Sequence, residues 1–269
     1  PGGAIHTAQR SRNALIENVQ FESCNSANSD GGSIFASIDY GSLTINYVRF
    51  IGSSCSQPGS GGAIAIVQQN SYSRISIIES SFANCFALPG SSEYGWGGAI
   101  YIQMGFQASQ LNETNFLLTD LSFTNCKASG AGNNLHILSD DTTAVGNQIK
   151  TGSLVKVKDM SNLPNIISDL YTNEWYCFDY MGINKSNTNS GNAPFTDHEP
   201  LFISPSLTPK FNEPYLVDAE YGKDHPICGN TRLKCYTIKY ILNIGKIPII
   251  GYPSNPVTIN IELQSNTQL

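Results

Sequence analysis

The chain has 269 residues, of which 13% are charged, and its formal net charge is −6. It lacks the basic excess of a nucleic-acid-binding surface, so we expect no nucleic-acid partner. No apolar run approaches the about 20 residues that a membrane-spanning helix needs, so we expect no membrane span. No signal-peptide pattern is visible, and the first residues already belong to a repeat, so we expect the sequence to begin within a longer protein.

A two-part phrase recurs along the first half of the chain. Gly-Gly pairs open the phrases GGAIHT, GGSIFA, GGAIAI and GGAIYI at residues 2, 31, 61 and 97, and a degenerate copy, GNNLHI, lies at 132–137. The complete copies are followed by phrases with Phe and Cys, namely VQFESC, VRFIGSSC, SSFANC and LSFTNC. The repeating unit is therefore about 30 residues long.

Apolar residues alternate with other residues inside each unit. Ile64 and Ile66 share one face of the first part, and Leu43 and Ile45 do so ahead of Phe50. This period of two is typical of β-strands. Amphipathic helical windows are absent before residue 150, so we predict short strands there. Polar corners separate the strands at Glu17-Asn18, Asn46-Tyr47 and Thr119-Asp120.

A unit of this size cannot bury its apolar face alone, whereas stacked units can. Stacking would pair each strand in parallel with its equivalent in the next unit, and would place Ile64 between Ile34 and Ile100. The glycine pairs would lie where the chain bends with unusual φ values or where backbones crowd. The sequence thus predicts an all-β stack of parallel coils, with a β-sandwich or barrel of short strands as the alternative.

The phrase GGAI followed at a distance by F-x-N resembles the repeat of the polymorphic outer membrane proteins of chlamydial autotransporters, and similar repeats of large protist surface proteins. GGAIYI…LSFTNC and GGAIAI…SSFANC match most closely, whereas VRFIGSSC lacks the Asn and carries two extra residues before Cys55. The resemblance covers about residues 1–140. It implies a right-handed parallel β-helix (solenoid), a surface or secreted location and adhesive or structural work, and it carries no catalytic residue.

Four of the seven cysteines are assigned to the same place in the repeat: Cys24, Cys55, Cys85 and Cys126. Equivalent positions of stacked units lie about 4.8 Å apart, which a disulfide tolerates. Two hypotheses stay open. Either Cys24–Cys55 and Cys85–Cys126 are bonded, or the four form a row of buried free thiols.

Other residues favour an oxidising, extracellular or cell-surface setting. Cys228 and Cys235 flank a short loop and predict a local disulfide, whereas Cys177 is left over. Asn112 and Asn184 begin N-glycosylation triplets in polar stretches that we predict to be loops. Disulfides and glycans both belong to that compartment.

The repeat fades after about residue 150, and we predict three regions. Residues 1–180 would form the coils, with SLVKVKDM at 153–160 as a further strand, and 181–212 would be a loop or linker. Residues 213–269 would contain a short capping helix in CYTIKYILNIG and strands in IPIIGY and VTINIEL. This last region would open a second β-helix or form a small α+β capping module.

The search for chemistry yields no catalytic residue, metal or cofactor. Asp140-Asp141 is the adjacent acidic pair and is interpreted as a solvated turn, without a partner for acid–base work. Asp197-His198-Glu199 is a polar cluster in a loop, only weakly suggestive of a cation site.

One repeat position alternates with the interior row and should face outward. It holds His6, Phe35, Ala65, Tyr101 and His136 in successive units. The aromatic members Phe35, Tyr101 and His136 are a candidate contact surface, since exposed aromatic side chains stack on sugars or pack against proteins. Ordinary exposed aromatics are the alternative.

These features together predict a non-enzymatic extracellular repeat protein with a structural or adhesive role, within a larger surface protein or fibre. Its partners would be other protein subunits, including copies of itself, or surface glycans. A pectin-cleaving type of polysaccharide lyase or hydrolase and a carbohydrate-binding module are the alternatives.

Overall fold

The structure is a computed structural model that describes residues 2–88, 94–158, 178–189, 192–202, 215–222, 224, 228–229, 234–244 and 261–263. The chain divides into two compact units, residues 1–205 and 206–269. The described part is mostly β, with parallel sheets, which confirms the prediction of a β-rich chain with parallel strands.

The described part of the first unit contains nineteen strands, and the helix α1 follows strand β16. The strands are β1 (Ile5–Gln9), β2 (Asn13–Glu17), β3 (Gln20–Glu22), β4 (Asn25–Ser26), β5 (Ile34–Ile38), β6 (Ser42–Asn46), β7 (Arg49–Ile51), β8 (Ser54–Cys55), β9 (Ile64–Gln68), β10 (Arg74–Ile78), β11 (Ser81–Ala83), β12 (Phe86–Ala87), β13 (Ile100–Met104), β14 (Phe116–Thr124), β15 (Lys127–Ala128), β16 (Leu135–Ser139), β17 (Val155–Val157), β18 (Tyr180–Asn184) and β19 (Glu199–Pro200). The α-helix α1 spans Thr142–Gly152, and short 3-10 helices span Ala108–Gln110, Lys185–Asn187 and Phe195–Asp197.

Strands at equivalent positions of successive repeats are hydrogen-bonded neighbours. The first sheet runs β1-β5-β9-β13-β16-β18 and ends on the antiparallel β19. The second sheet contains two series, β2-β6-β10 and β3-β7-β11, which both join the long strand β14, and β17 pairs with β14 as well. The third sheet runs β4-β8-β12-β15. All pairings between the repeats of the first 140 residues are parallel and in register.

The predicted isoleucine column is confirmed. Ile64 pairs in register with Ile34 on one side and with Ile100 on the other. All three side chains are fully buried, in one hydrophobic core with the Phe50 and Phe82 side chains of the second sheet. The period-two pattern therefore identified the interior face of these strands correctly.

The glycine pairs meet two constraints, both of which the sequence suggested. The first glycine turns the corner, with φ at 71° in Gly31 and 75° in Gly61, a left-handed conformation that glycine adopts without strain. Both glycines of a pair are crowded as well, and a Cβ on Gly61 would overlap the carbonyl oxygen of Ile64. A Cβ on Gly32 would overlap the carbonyl oxygen of Gly62, and a Cβ on Gly62 would overlap that of Gly98.

The other two corners of the repeat use mostly polar residues with positive φ. The corner within the second sheet holds Asn18, Tyr47, Glu79 and Asp120, and the next corner holds Ser23, Gly52, Asn84 and Asn125. The predicted polar corners are thereby confirmed. Short polar side chains tolerate this conformation better than most, and Asn is the commonest choice here.

The prediction that helices are absent before residue 150 was wrong, because α1 begins at Thr142. Its N-cap is Asp141, whose Oδ1 accepts a hydrogen bond from the Ala144 amide at 2.9 Å. Only Val145 and Ile149 provide large apolar contacts, one turn apart, on its buried face. The window was thus too short and too polar to show a helical period.

The predicted linker at 181–212 was also wrong as far as residue 202. Strand β18 pairs in parallel with β16, with Leu135 opposite Tyr180, so the predicted boundary at 180 falls inside a strand. Leu201 and Phe202 are buried in the main core. Residues 203–212 lie outside the described part. The predicted strand within 153–160 is confirmed as β17.

The second unit contains β20 (Tyr215–Val217), the helix α2 (Ile238–Ile244) and β21 (Ile261–Leu263). Strands β20 and β21 pair in parallel. The predicted helix is confirmed, and β21 lies inside the predicted VTINIEL strand, whereas IPIIGY lies outside the described residues. Whether this unit opens a second β-helix or is an α+β capping module stays a prediction.

Candidate functional site

The row predicted to face outward lies on the first sheet. His6 is opposite Phe35, Phe35 opposite Ala65, Ala65 opposite Tyr101, and Tyr101 opposite His136. Since side chains alternate along a strand, this row points away from the isoleucine column. The order of the row is therefore as predicted.

The prediction that Tyr101 and His136 form an exposed contact surface was wrong. Tyr101 is 7% exposed and His136 is fully buried, while Phe35 is half-buried. Tyr101 lies in a second hydrophobic cluster, which comprises Ala65, Trp96, Tyr101, Leu138, Ile183 and Ala193, with Phe35 packed against it. The His136 ring lies beside that of Trp96. Trp96 precedes its own strand, and Ala193 comes from a region predicted to be a linker, so the repeats gave no signal that this face is covered.

A pair of buried histidines lies in this covered region. Nε2 of His136 is 2.9 Å from Nδ1 of His198, and His198 is 1% exposed. The Trp96 ring lies 5.1 Å from each imidazole. Burial, and secondarily the His198 imidazole, lower the pKa of His136 well below its usual range, so His136 is neutral at pH 7.

The polar triplet Asp197-His198-Glu199 is divided by this contact. His198 turns inward, whereas Asp197 and Glu199 are half-buried. Within the described ranges, no group of three or more His, Cys, Asp or Glu side chains is placed to hold a metal ion.

Asp30 and Tyr101 add two further titratable groups near the cluster. The Asp30 carboxylate accepts a hydrogen bond from the Ser60 amide at 2.7 Å, and burial raises the pKa of Asp30 nonetheless. Burial, and then the charge of Asp30, raise the pKa of the Tyr101 phenol. The phenol is therefore neutral throughout the physiological pH range.

Both members of the acidic pair at 140–141 have structural partners. Asp140 Oδ1 lies 2.9 Å from Nζ of Lys185, and Asp141 is the N-cap of α1. Both carboxylates are exposed, as the interpretation of a solvated turn required.

Of the two hypotheses for the repeat cysteines, the one with disulfides between Cys24 and Cys55 and between Cys85 and Cys126 is wrong. Cys24, Cys55, Cys85 and Cys126 are all free thiols. The last three are buried and Cys24 is half-buried, so the alternative of packed free thiols describes them better. A hydrogen bond with Cys126 and burial both raise the pKa of Cys85.

Cys55 does not belong to the same row as the other three. It pairs in register with Ser26 and Ala87, so the repeat has no insertion, and Ser53 occupies the place of the missing cysteine. The Ser53 hydroxyl lies 2.7 Å from that of Ser33, inside the protein. Burial raises the pKa of the Cys55 thiol to about 12.

The other cysteine prediction, in the second unit, is confirmed. Cys228 and Cys235 form a disulfide with a Cα–Cα distance of 4.9 Å. Cys177 lies outside the described residues.

The two glycosylation triplets occupy unlike positions. Asn112 is exposed in a turn, where its Oδ1 accepts hydrogen bonds from the amide and hydroxyl of Thr114 at 2.9 and 2.6 Å. Asn184 ends strand β18 and is half-buried, with its Oδ1 accepting from the Thr142 amide at 2.7 Å. The expected loop position was thus wrong for Asn184, and attachment of a glycan at either site stays a prediction.

Two exposed tyrosines were missed by the sequence reasoning. Tyr40 is 60% exposed and Tyr72 is 72% exposed, and their rings stack with centroids 6.0 Å apart and planes at 23°. They occupy turns after β5 and β9, one repeat apart. Beside them, the Asn70 side-chain amide donates to Asp39 Oδ1 at 2.6 Å. The spacing of two turn tyrosines by one repeat was the available signal.

Comparison of the chain with protein-family models, with curated protein sequences and with solved structures found no match. Within the residues that the structure describes, the helices are too short or too polar to cross a membrane.

Proposed function

We propose that the repeats wind into a right-handed parallel β-helix and that the chain is a non-enzymatic extracellular repeat protein. It would serve as a structural or adhesive element within a larger surface protein or fibre. The observation that carries the proposal is the in-register parallel pairing of equivalent strands across successive repeats. The resemblance to polymorphic outer membrane protein repeats supports the same role.

The physical basis of the role is stiffness. Each repeat is joined to the next by main-chain hydrogen bonds of four strand series, and by a column of buried side chains beneath them. Bending such a stack would break several of these contacts at once. The disulfide between Cys228 and Cys235 supports an oxidising, extracellular location.

The test compares turnover with binding. We would incubate the full chain with polygalacturonate and measure new reducing ends and unsaturated products, and we expect neither. In parallel, chain-coated beads would be tested for adhesion to each other and to immobilised glycans, and we expect retention under flow. Turnover of the polysaccharide would overturn the proposal in favour of a lyase or hydrolase, and so would a complete lack of adhesion and self-association.

A carbohydrate-binding module is the second candidate, and the exposed Tyr40–Tyr72 pair favours it. Aromatic faces stack on sugar rings, and the neighbouring Asn70 and Asp39 side chains supply hydrogen-bonding groups. The double substitution Tyr40→Ala/Tyr72→Ala should lower glycan-array signals by about tenfold, a loss of about 1.4 kcal/mol. Tyr47→Ala, which removes another half-exposed tyrosine, is the matched control and should leave the signals unchanged.

A further inference from the structure

A short segment covers the outer face of the first sheet, and we call residues 192–198 the covering segment. The side-chain amide of Asn192 donates to the Tyr94 hydroxyl at 3.0 Å. Ala193 is buried in the outer hydrophobic cluster. At the other end, His198 meets His136 of β16 at 2.9 Å. The covering segment is therefore fixed at both ends, and its histidine end depends on protonation.

Two neutral imidazoles form one hydrogen bond, in which the N–H of one ring donates to the lone pair of the other. When both rings are protonated, both facing nitrogens become donors and the bond is lost. Two positive charges would then lie 2.9 Å apart. A single added proton is unfavourable as well, because it places a charge on a buried ring that packs against Trp96.

Four titratable side chains lie around the histidine pair, and two of them are Tyr101 and Asp30. Strand β13 presents Tyr101, whose phenol is neutral in this pH range. Asp30, which lies near Tyr101, accepts the Ser60 amide hydrogen bond.

The other two titratable groups are the carboxylates on either side of His198, namely Asp197 of the covering segment and Glu199 of β19. Asp197 Oδ1 accepts a hydrogen bond from the Thr196 hydroxyl, and Glu199 Oε2 accepts one from the Thr143 hydroxyl, both at 3.3 Å. Strand β18 places the uncharged Met181 opposite His136. The buried His–His contact is thus the proton-sensitive connection between the covering segment and the sheet.

We propose that His136 and His198 form an acid-released latch, through which the covering segment opens below neutral pH and uncovers the aromatic surface of Trp96 and Tyr101. The sign follows from linkage. Because the pKa of His136 in the folded protein is lowered below its unfolded value of about 6.5, the closed state loses stability as the pH falls below about 6.5. The inference stands independently of the proposed function.

The experiment is hydrogen exchange of the full chain between pH 7.5 and pH 4.5, corrected for the intrinsic pH dependence of exchange. We expect protection of the amides of residues 193 and 195–198 to fall by about tenfold or more, while amides of β9 stay protected. Trp96 emission, read in a Trp175→Phe background, should shift to longer wavelength over the same pH range. Protection that persists to pH 4.5 would refute the latch.

Matched variants separate the pair from other acid effects. The double variant His136→Gln/His198→Gln keeps polar groups without a titrating ring and should abolish the acid opening. His6→Gln, which replaces an exposed histidine of the same strand row, should leave it unchanged. Opening of the double variant with the wild-type pH midpoint would contradict the proposal.

A direct titration covers the case in which the double variant does not fold. The 15N shifts of the histidine rings in the wild-type chain report protonation at each nitrogen. We expect His136 and His198 to gain protons only as the amides of residues 193 and 195–198 lose protection. Protonation of either ring near its ordinary pKa with the covering segment still closed would overturn the proposal.

Discussion

Gly52 and Gly62 both lie at bends of the repeat, but we expect their substitution to affect stability to different extents. Gly62 is crowded, since a Cβ would overlap the carbonyl oxygen of Gly98, so Gly62→Ala should lower the free energy of unfolding by about 2–3 kcal/mol. Gly52 has a φ of 63° with room for a side chain, and Asn84 and Asn125 adopt this conformation at the equivalent corner. Gly52→Asn should therefore change stability by less than about 0.5 kcal/mol.

Urea denaturation followed by circular dichroism measures both variants under identical conditions. The comparison is matched, because both substitutions add a side chain at a corner of the stack. Equal losses in the two variants would show that the corners respond to added volume in general. The assignment of the Gly62→Ala loss to overlap with the Gly98 carbonyl oxygen would then be wrong.

Individual residues also show where sequence reasoning succeeds and where it fails. The Ile34, Ile64 and Ile100 column was predictable, because an alternating pattern inside a repeated phrase fixes both the face and the register. Cys55 was misplaced because the cysteines were matched to each other, when counting from Phe50 without a gap places Ser53 in that row. A phenylalanine in a buried strand is a more reliable landmark than a cysteine, since it is larger and less easily replaced.

At the scale of elements, stacked phenylalanine rings should couple the stabilities of neighbouring repeats. This phenylalanine ladder consists of Phe21, Phe50, Phe82 and Phe123. The Phe50 and Phe82 rings are buried and parallel, with centroids 4.9 Å apart. A double-mutant cycle with Phe50→Leu and Phe82→Leu should give a coupling free energy of about 0.5–1.5 kcal/mol. The control cycle combines Phe21→Leu with Phe82→Leu. It should be additive within about 0.5 kcal/mol, because Phe50 stacks between those two rings.

Thermal or urea unfolding of the three single and two double variants supplies the coupling values. If the control cycle gives a coupling free energy as large as that between neighbouring rings, the stacking energy is shared along the whole ladder. Additivity in both cycles would mean that the rings contribute by burial alone.

The elements outside the repeats were predicted least well, for a physical reason. Helix α1 depends on the cap at Asp141 and on contacts with residues distant in sequence, such as Leu201, whose carbonyl lies against Gly146. Strand β18 joins the first sheet without a copy of the repeated phrase. Such elements are determined by the surface that the repeats leave uncovered, and a pattern search along the chain does not contain that surface.

Dependence on residues distant in sequence also explains why the predicted contact surface is buried. The alternation placed Tyr101 and His136 on the outward face correctly, yet burial depends on what packs over that face. Trp96 and Ala193 come from outside the strands, and the histidine pair joins residues 62 positions apart. No local spacing could have brought them together.

At the scale of the whole molecule, we expect reduction of the Cys228–Cys235 disulfide to affect the second unit and not the first. The Cys228–Cys235 bond closes a short loop beside β20, where the Cys235 amide donates to the Leu216 carbonyl and the Asp218 amide donates to the Cys235 carbonyl. For a sequence separation of 7, loop-closure entropy assigns the bond about 2.5 kcal/mol. The four described free thiols of the first unit offer no bond for a reductant to break.

We therefore expect dithiothreitol to lower hydrogen-exchange protection at the Asp218 and Cys235 amides by about tenfold or more, and to leave the amides of β9 in the first unit unchanged. The variant Cys228→Ser/Cys235→Ser should reproduce the reduced state without reductant. The hydrogen bonds of β9 join it to β5 and β13, both within the first 205 residues, so nothing in its pairing depends on that disulfide. A parallel loss of protection in β9 would show instead that the two units unfold as one cooperative body, and the stiffness attributed to the repeats would then depend on the second unit.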